Sequence, residues 1–340
     1  MQTDFYRVDA GEQVNRLAAL GGAALAEWGL EGAAVSTVAY RENMTFRVDA
    51  GVRGAFALRI HQANYRTDAQ IQSELDLMTY LDSQGIRTPK VVPTTSGALF
   101  TTATAPGVNE PRQCDLFEWI EGRLLRTTGQ PVPSDLTELT AAYGDVGRLA
   151  ARIFNATEAW TRPAGFSRPA WDADGIYGRG AHLGDFRKLQ NVTDEQGQLM
   201  LAVASRLDGL LERFGKAPDR YGLSHGDFLA ENIFVCDDGI RLVDFDDAGD
   251  SWYMLDIATA VFDLLDTPAY EPCLDALVRG YREHRDLPDS HLKLLPAFFL
   301  ARLLSYLGWC AKKTHMPQTQ YIQPLLLYAF EQNARPFLDA

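Results

Sequence analysis

Apolar side chains recur at helical spacing over residues 11–29, and the run stops at Gly29, so the spacing predicts a helix there. The pattern then shifts to short β-type runs, Val35–Tyr40 and Thr45–Val48, joined by Arg41-Glu42-Asn43-Met44. A third run, Gly54–Ile60, follows a turn at Gly51 and Gly54. Thr67-Asp68-Ala69-Gln70 reads as a capping box, in which the hydroxyl and the amide each satisfy a backbone N–H of a starting helix. That helix carries Ile71, Leu75, Met78 and Leu81 on one face and stops at Gly85 and Pro89. Short strands are predicted around Val91–Val92, Leu99–Thr102 and Asp115–Ile120.

After Gly122 the period becomes helical. Leu136, Leu139, Tyr143, Val146, Leu149 and Ile153 mark the apolar stripe of a helix over 135–157. Further helices are predicted over 194–214, 256–265, 269–285 and 292–313, while 161–185, dense in Gly, Pro, Asp and aromatics, reads as loop. There is no internal repeat. The pattern predicts an α+β, bilobal chain: a small antiparallel-sheet lobe with an inserted helix over 1–117, a connector at 118–122, and a larger, mainly helical lobe over 123–340. A length of 340 residues fits two lobes at roughly 150 residues each.

Charge narrows the function. Lys and Arg total 32 against 45 Asp and Glu, a net charge of −13, which argues against a nucleic-acid footprint and against anchoring on anionic lipid. The balance suits a protein that handles cationic or metal-bound ligands. Cys114, Cys236, Cys273 and Cys310 show neither CxxC pairing nor zinc spacing, so free thiols and a cytoplasmic location are expected. Met1–Asp4 shows no basic, then apolar, leader, and the most apolar stretches, 294–304 and 324–330, fall short of the ~20 residues of a membrane span. His61, His182, His284, His291 and His315 show no i, i+4 pairing and read as surface or structural residues, and Phe298, Phe299, Tyr306 and Trp309 read as core.

One stretch carries chemistry, Leu223–Gly249. Asp237-Asp238-Gly239 is a turn between the apolar runs Ile233–Cys236 and Ile240–Asp244, which predicts a β-hairpin. Asp227 and Asn232 precede its first strand and Asp244 ends its second, so the hairpin brings three oxygen-bearing side chains to one end. Asn232 and Asp244 suit Mg2+, a hard cation bound by few protein ligands plus substrate phosphates. Asp227 is then available to accept a proton from an attacking hydroxyl.

His225-x-Asp227-x-x-x-x-Asn232 and Asp244-Phe245-Asp246 resemble the catalytic and metal loops of the protein-kinase-like phosphotransferases. The His-Gly-Asp opening and Asp246 in place of glycine point to the branch of aminoglycoside phosphotransferase, choline kinase and homoserine kinase. Asp256, at the start of the following helix, matches the same branch. The resemblance implies a protein-kinase-like fold, ATP and Mg2+ as cofactors, and nucleotide-binding roles for Asn43, Arg59, Glu74, Glu118 and Ile120. Asn43 resembles the element that replaces a glycine-rich loop. Arg59 stands where the family usually has a lysine on the phosphates, with Glu74 aiming it, and Phe117–Gly122 resembles the hinge that holds adenine. A guanidinium can take that place because it grips phosphate oxygens bidentately.

The expected reaction is transfer of the γ-phosphoryl group to a small amino alcohol such as homoserine, choline or an aminoglycoside. The alternatives are a protein Ser/Thr acceptor, as in a bacterial stress-response kinase of the same superfamily, and a nucleotide-binding pseudokinase. From another class, Gly222-x-Ser224-x-Gly226 matches the nucleophile elbow of α/β-hydrolases, but that elbow needs a core strand before it and a helix after it.

Overall fold

The computed structural model describes residues 4–127, 129–314, 316 and 318–340, so the readings for Met1–Thr3 and His315 lie outside the described residues. The chain forms two compact units, one running up to Gly122 and including Arg162–Ser167, the other built from Arg123–Thr161 and Arg168–Ala340.

In the first unit, helix α1 (Ala10–Ala24) starts where the Asp9 carboxylate accepts the Glu12 N–H. It tightens into a 3-10 turn and ends at Gly29, whose φ of +62° is easy only for glycine. Strands β1 (Ala34–Tyr40), β2 (Met44–Asp49) and β3 (Ala55–Ile60) follow, then helix α2 (Asp68–Ser83), which is opened by the predicted Thr67/Gln70 capping box. Strands β4 (Phe100–Ala103) and β5 (Arg112–Glu118) complete an antiparallel sheet in the order β1-β2-β3-β5-β4. Val91 and Val92 do not form a strand. Val91 makes one bridge to Phe117, because Pro89 and Pro93 flank the pair and lack the N–H groups a ladder needs.

Alternation along the strands sorts the sheet's faces. Phe46, Leu58, Ile60, Cys114 and Leu116 pack with Leu17 and Leu20 of α1 in one core, so Arg59 and Asp115 between them point to the opposite face. Arg162–Ser167 returns to this unit, where the Ser167 N–H donates to the Ser73 hydroxyl of α2 at 2.8 Å.

The second unit begins with β6 (Arg123–Leu124) and the long helix α3 (Thr137–Ala159). After the short α4 (Ala173–Tyr177) and α5 (Asp194–Phe214) come β7 (Tyr221–Ser224), the hairpin β8 (Ile233–Cys236) and β9 (Gly239–Leu242), and β10 (Gly249–Trp252). β7 pairs with β10 and β6 with β8, all antiparallel. The hydrolase elbow is therefore absent: Ser224 ends one strand of a two-stranded ribbon, and the chain continues into a 3-10 turn and a hairpin. Helices α6 (Tyr253–Ala260), α7 (Tyr270–Arg282), α8 (Asp289–Leu292), α9 (Leu295–Lys312) and α10 (Thr319–Asp339) finish the unit. Among the described residues, no helix is long and apolar enough to cross a membrane.

Helix α10 has no counterpart in the sequence reading, because Pro324 and Pro336 interrupt its pattern. Burial of Leu326, Leu327, Phe330 and Ala334 outweighs the hydrogen bonds those prolines delete.

Helices α3 and α7 touch backbone to backbone. A Cβ on Gly147 would lie 1.9 Å from the Leu277 carbonyl oxygen, and one on Gly280 would lie 2.0 Å from that of Gly144. α3 in turn supports β7, with the Thr157 hydroxyl donating to the Leu223 carbonyl at 2.7 Å just before the loop that carries Asp227. Gly147→Ala is expected to destabilise the protein by at least the ~1–3 kcal/mol typical of overpacking, read as a lower thermal midpoint. An unchanged midpoint would show that the α3–α7 contact yields more readily than a backbone contact should.

Candidate active site

The segment around Asp227 is held from below. Asp256, fully buried near the start of α6, accepts the N–H groups of His225 and Gly226, both at 3.0 Å. From the other side Arg302, buried in α9, donates to the Gly226 carbonyl, and its Nε donates to Thr259 at 2.8 Å. Burial raises the Asp256 pKa to about 6, even against the Arg302 charge and the two N–H bonds. Burial likewise drops His225 to about 3, so its ring is neutral. Its Nε2–H donates to the Val243 carbonyl at 3.0 Å, while Nδ1 accepts the Asp227 N–H at 3.2 Å. This tautomer is assigned from the bonds. His225 thus ties the loop that carries Asp227 to the strand that leads to Asp244.

Asp227 is partly exposed at the end of this cradle. Tyr306 donates its hydroxyl to Oδ1 at 3.0 Å, and the Asn232 amide donates to Oδ2 at 3.1 Å and to the Asp227 carbonyl at 2.9 Å. Burial pushes the Asp227 pKa up, opposed by the Arg302 charge and by the bonds from Tyr306 and Asn232. Tyr306 is therefore not simply the core aromatic its spacing suggested. It sits four residues after Arg302, whose guanidinium lies 5.2 Å from its ring, and one helical turn thus places both beside the loop.

The hairpin brings the backbone of Asn232 to that of Val243, next to Asp244, where the Val243 N–H donates to the Asn232 carbonyl at 2.8 Å. Asn232 spends its amide N–H on Asp227, which leaves its oxygen as the end suited to a cation. Asp244 has a φ of +64°, an uncommon conformation for a residue with a Cβ. Among the described residues, no three His, Cys, Asp or Glu side chains form a metal cluster of their own. One amide oxygen and one carboxylate fit Mg2+ when phosphate oxygens and water complete the shell.

Two of the residues that the resemblance assigns to the nucleotide, Arg59 and Glu74, lie in a second cluster, in the first unit. Arg59 donates from Nε and Nη2 to the two oxygens of Asp115, at 3.0 and 2.7 Å, and from Nη1 to Glu74 at 2.8 Å. His61 lies 2.9 Å from the same Asp115 oxygen. The predicted Arg59–Glu74 pair is present, and Asp115 is the partner that sequence reasoning missed. Its signal lay in the register, since Asp115 stands directly across from Arg59 on the adjacent strand. Burial alone would raise the Asp115 pKa, but the Arg59 guanidinium and His61 hold it well below the usual carboxylate range.

Asn43 closes the β1–β2 turn, and its side-chain oxygen accepts the Gln62 N–H at 3.1 Å. Exposed Glu118 donates its backbone N–H to the Lys90 carbonyl at 2.9 Å and lies 3.1 Å from the Lys90 ammonium. Ile120 follows, partly buried, in the irregular stretch after β5.

Removing one partner of a buried ion pair typically costs about 3–5 kcal/mol. Asp115→Asn should therefore lower the thermal midpoint clearly at neutral pH. Because the folded-state pKa is depressed, the wild-type advantage is complete above about pH 4, the ordinary carboxylate pKa, and shrinks as pH falls below it. Thermal scans of both proteins between pH 3 and 7 check this, and a gap independent of pH would contradict it.

Comparison with known proteins agrees with this fold. A microcompartment-associated aminopropanol kinase structure superposes with a TM-score of 0.79 at 29% identity, covering 93% of this chain and 95% of that one. An amicoumacin kinase in complex with AMP-PNP, Ca2+ and Ami superposes with a TM-score of 0.74 at 20% identity, covering 96% and 94%, which is a likeness of fold. In sequence, the amicoumacin kinase of Bacillus subtilis is 25% identical over 265 residues, 74% of this chain and 73% of that protein. Residues 39–291 match the phosphotransferase enzyme family, a span that contains Asp227, Asn232, Asp244 and the Arg59 cluster but ends before Arg302 and Tyr306, and the chain belongs to that family.

Proposed function

We propose that this kinase transfers the γ-phosphoryl group of ATP, with Mg2+ as the divalent ion, to the hydroxyl of a small amine-bearing alcohol. The observation that carries the reading is Asp227, a partly exposed residue whose carboxylate is fixed through both oxygens. A carboxylate offers about four lone-pair positions, so an acceptor hydroxyl can add to the bonds from Tyr306 and Asn232. Asp227 accepts the hydroxyl proton as the oxygen bonds to the γ-phosphorus and the bond from that phosphorus to the β–γ bridging oxygen breaks, releasing ADP.

Asn232 and Asp244 hold the ion, which neutralises phosphate charge when bound. Arg59, fixed by Asp115 and Glu74, takes phosphate oxygens; Asn43 lies on the nucleotide side, and the backbone at Glu118 and Ile120 takes adenine. The amine class is supported by the net charge of −13 and by the names of the similar proteins, aminopropanol kinase and amicoumacin kinase. Those names also favour a small acceptor over a protein side chain. The intact trio of Asp227, Asn232 and Asp244 speaks against a pseudokinase.

Nucleotide consumption over a panel of aminopropanol, choline, homoserine, aminoglycosides and a generic protein should single out an amine-bearing alcohol. Transfer only to the protein would overturn the acceptor class. Asp227→Asn, nearly isosteric, should lower kcat by about 10²–10⁴-fold while nucleotide binding persists. Wild-type turnover at saturating acceptor would remove Asp227 from the role of base. Asp244→Ala should abolish both turnover and the Mg2+-dependent part of nucleotide affinity, measured by calorimetry with and without the ion. Affinity that stays normal would place the metal elsewhere.

A further inference from the structure

The stretch 161–185 reads as loop, and the proposed chemistry uses none of its side chains. The structure nevertheless sets Arg168 and Trp171 against the loop that follows Asp244. Arg168 donates from Nε to the Ala248 carbonyl at 2.7 Å, and from Nη2 to the carbonyls of Phe245, at 3.2 Å, and Asp246. The indole N–H of fully buried Trp171 donates to the remaining carbonyl, that of Asp247, at 2.6 Å. Beyond the loop, the Trp171 backbone N–H donates to the Asp250 carbonyl at 2.7 Å.

Each carbonyl from Phe245 to Ala248 therefore receives a bond from one guanidinium or one indole. The loop has little regular structure of its own, a single 3-10 turn over Phe245–Asp247. It also begins at Asp244 in the left-handed region, a conformation that persists only when the surroundings impose it. The same indole borders the catalytic loop, since a Cβ on Gly226 would lie 2.3 Å from the Asp247 carbonyl oxygen and 3.2 Å from the Trp171 ring nitrogen.

We propose that Arg168 and Trp171 are positioning residues that fix the backbone after Asp244 so that its carboxylate is presented to the nucleotide-bound divalent ion. The proposal rests on the assignment of Asp244 to the metal made above. Groups that orient a metal ligand without touching the ion typically change metal affinity by about 10–100-fold when removed. Arginine suits the task because its planar fork reaches several carbonyls at once, which a lysine ammonium on a flexible stem does not do in one fixed geometry.

The test uses the full-length chain, MnCl2 and AMP-PNP, with bound Mn2+ read by electron paramagnetic resonance and metal-free AMP-PNP binding measured in EDTA. Arg168→Met should weaken Mn2+ binding in the presence of AMP-PNP by about 10–100-fold. Arg168→Lys and Trp171→Phe, which keep the charge or the ring, should weaken it less, and metal-free AMP-PNP affinity should stay at the wild-type value in all three. If Arg168→Met does not fold, the two conservative variants decide. Wild-type Mn2+ affinity in these variants, alongside its loss in Asp244→Ala, overturns the positioning role and leaves the metal assignment standing. Wild-type Mn2+ affinity in Asp244→Ala overturns the assignment and the inference with it. Equal losses with and without metal show a general structural role and also overturn the inference.

Discussion

The second unit depends on how the backbone passes through Gly226. Its N–H is held by Asp256, its carbonyl by Arg302, and its φ of +82° lies where a Cβ would also run into the Asp247 carbonyl. Three segments distant in sequence, α6, α9 and the loop after β9, therefore meet at one residue. The next residue, Asp227, emerges at a fixed place as a consequence. Arg302 also makes the burial of two carboxylates tolerable: an ion taken from water loses several kcal/mol of hydration unless an opposite charge and good hydrogen bonds replace it. Asp256 keeps two N–H donors and Asp227 keeps the Tyr306 and Asn232 donors, so each carboxylate is hydrogen-bonded, and the Arg302 charge partly offsets both.

The first unit solves a similar problem with a sheet. Strand alternation leaves one face of β3 and β5 for the apolar core and turns Arg59 and Asp115 to the other, where α2 brings Glu74. A single guanidinium bridges two strands and a helix. Its planar fork makes this possible, since Nε and Nη2 take both oxygens of one carboxylate while Nη1 takes the second acid. A lysine would meet one acid well and leave the other poorly paired, which is a physical reason for arginine at this position.

Much of this was legible in the sequence because the signals are local. The Thr67–Gln70 capping box, the stop at Gly29 and the Asp237-Asp238 turn are decided by residues within a few positions of one another, and each element stands where the pattern put it. The hairpin alone was enough to bring Asn232 beside Val243 and Asp244. The readings that missed, or fell short, share a different cause. Val91–Val92 lost its strand to flanking prolines, α10 formed across two prolines because its apolar face found partners, and Tyr306 looked like core because helical spacing does not reveal what lies opposite.

The sequence by itself determined most of the elements, the mixed α+β class and the placing of Asp227, Asn232 and Asp244 around one short hairpin, since hydrophobic period, turn chemistry and a short hairpin are properties of neighbouring residues. Only the tertiary structure decided which distant groups hold that trio, and separately Arg59, in place. Asp115 across the strand from Arg59, Arg302 and Tyr306 one helical turn apart on α9, and Arg168 with Trp171 behind the Asp244 loop act over separations of dozens of residues. The bonds they make go mostly to backbone carbonyls or to buried carboxylates. A backbone carbonyl has the same chemistry at every position in the chain, so no residue pattern announces which one a guanidinium will find.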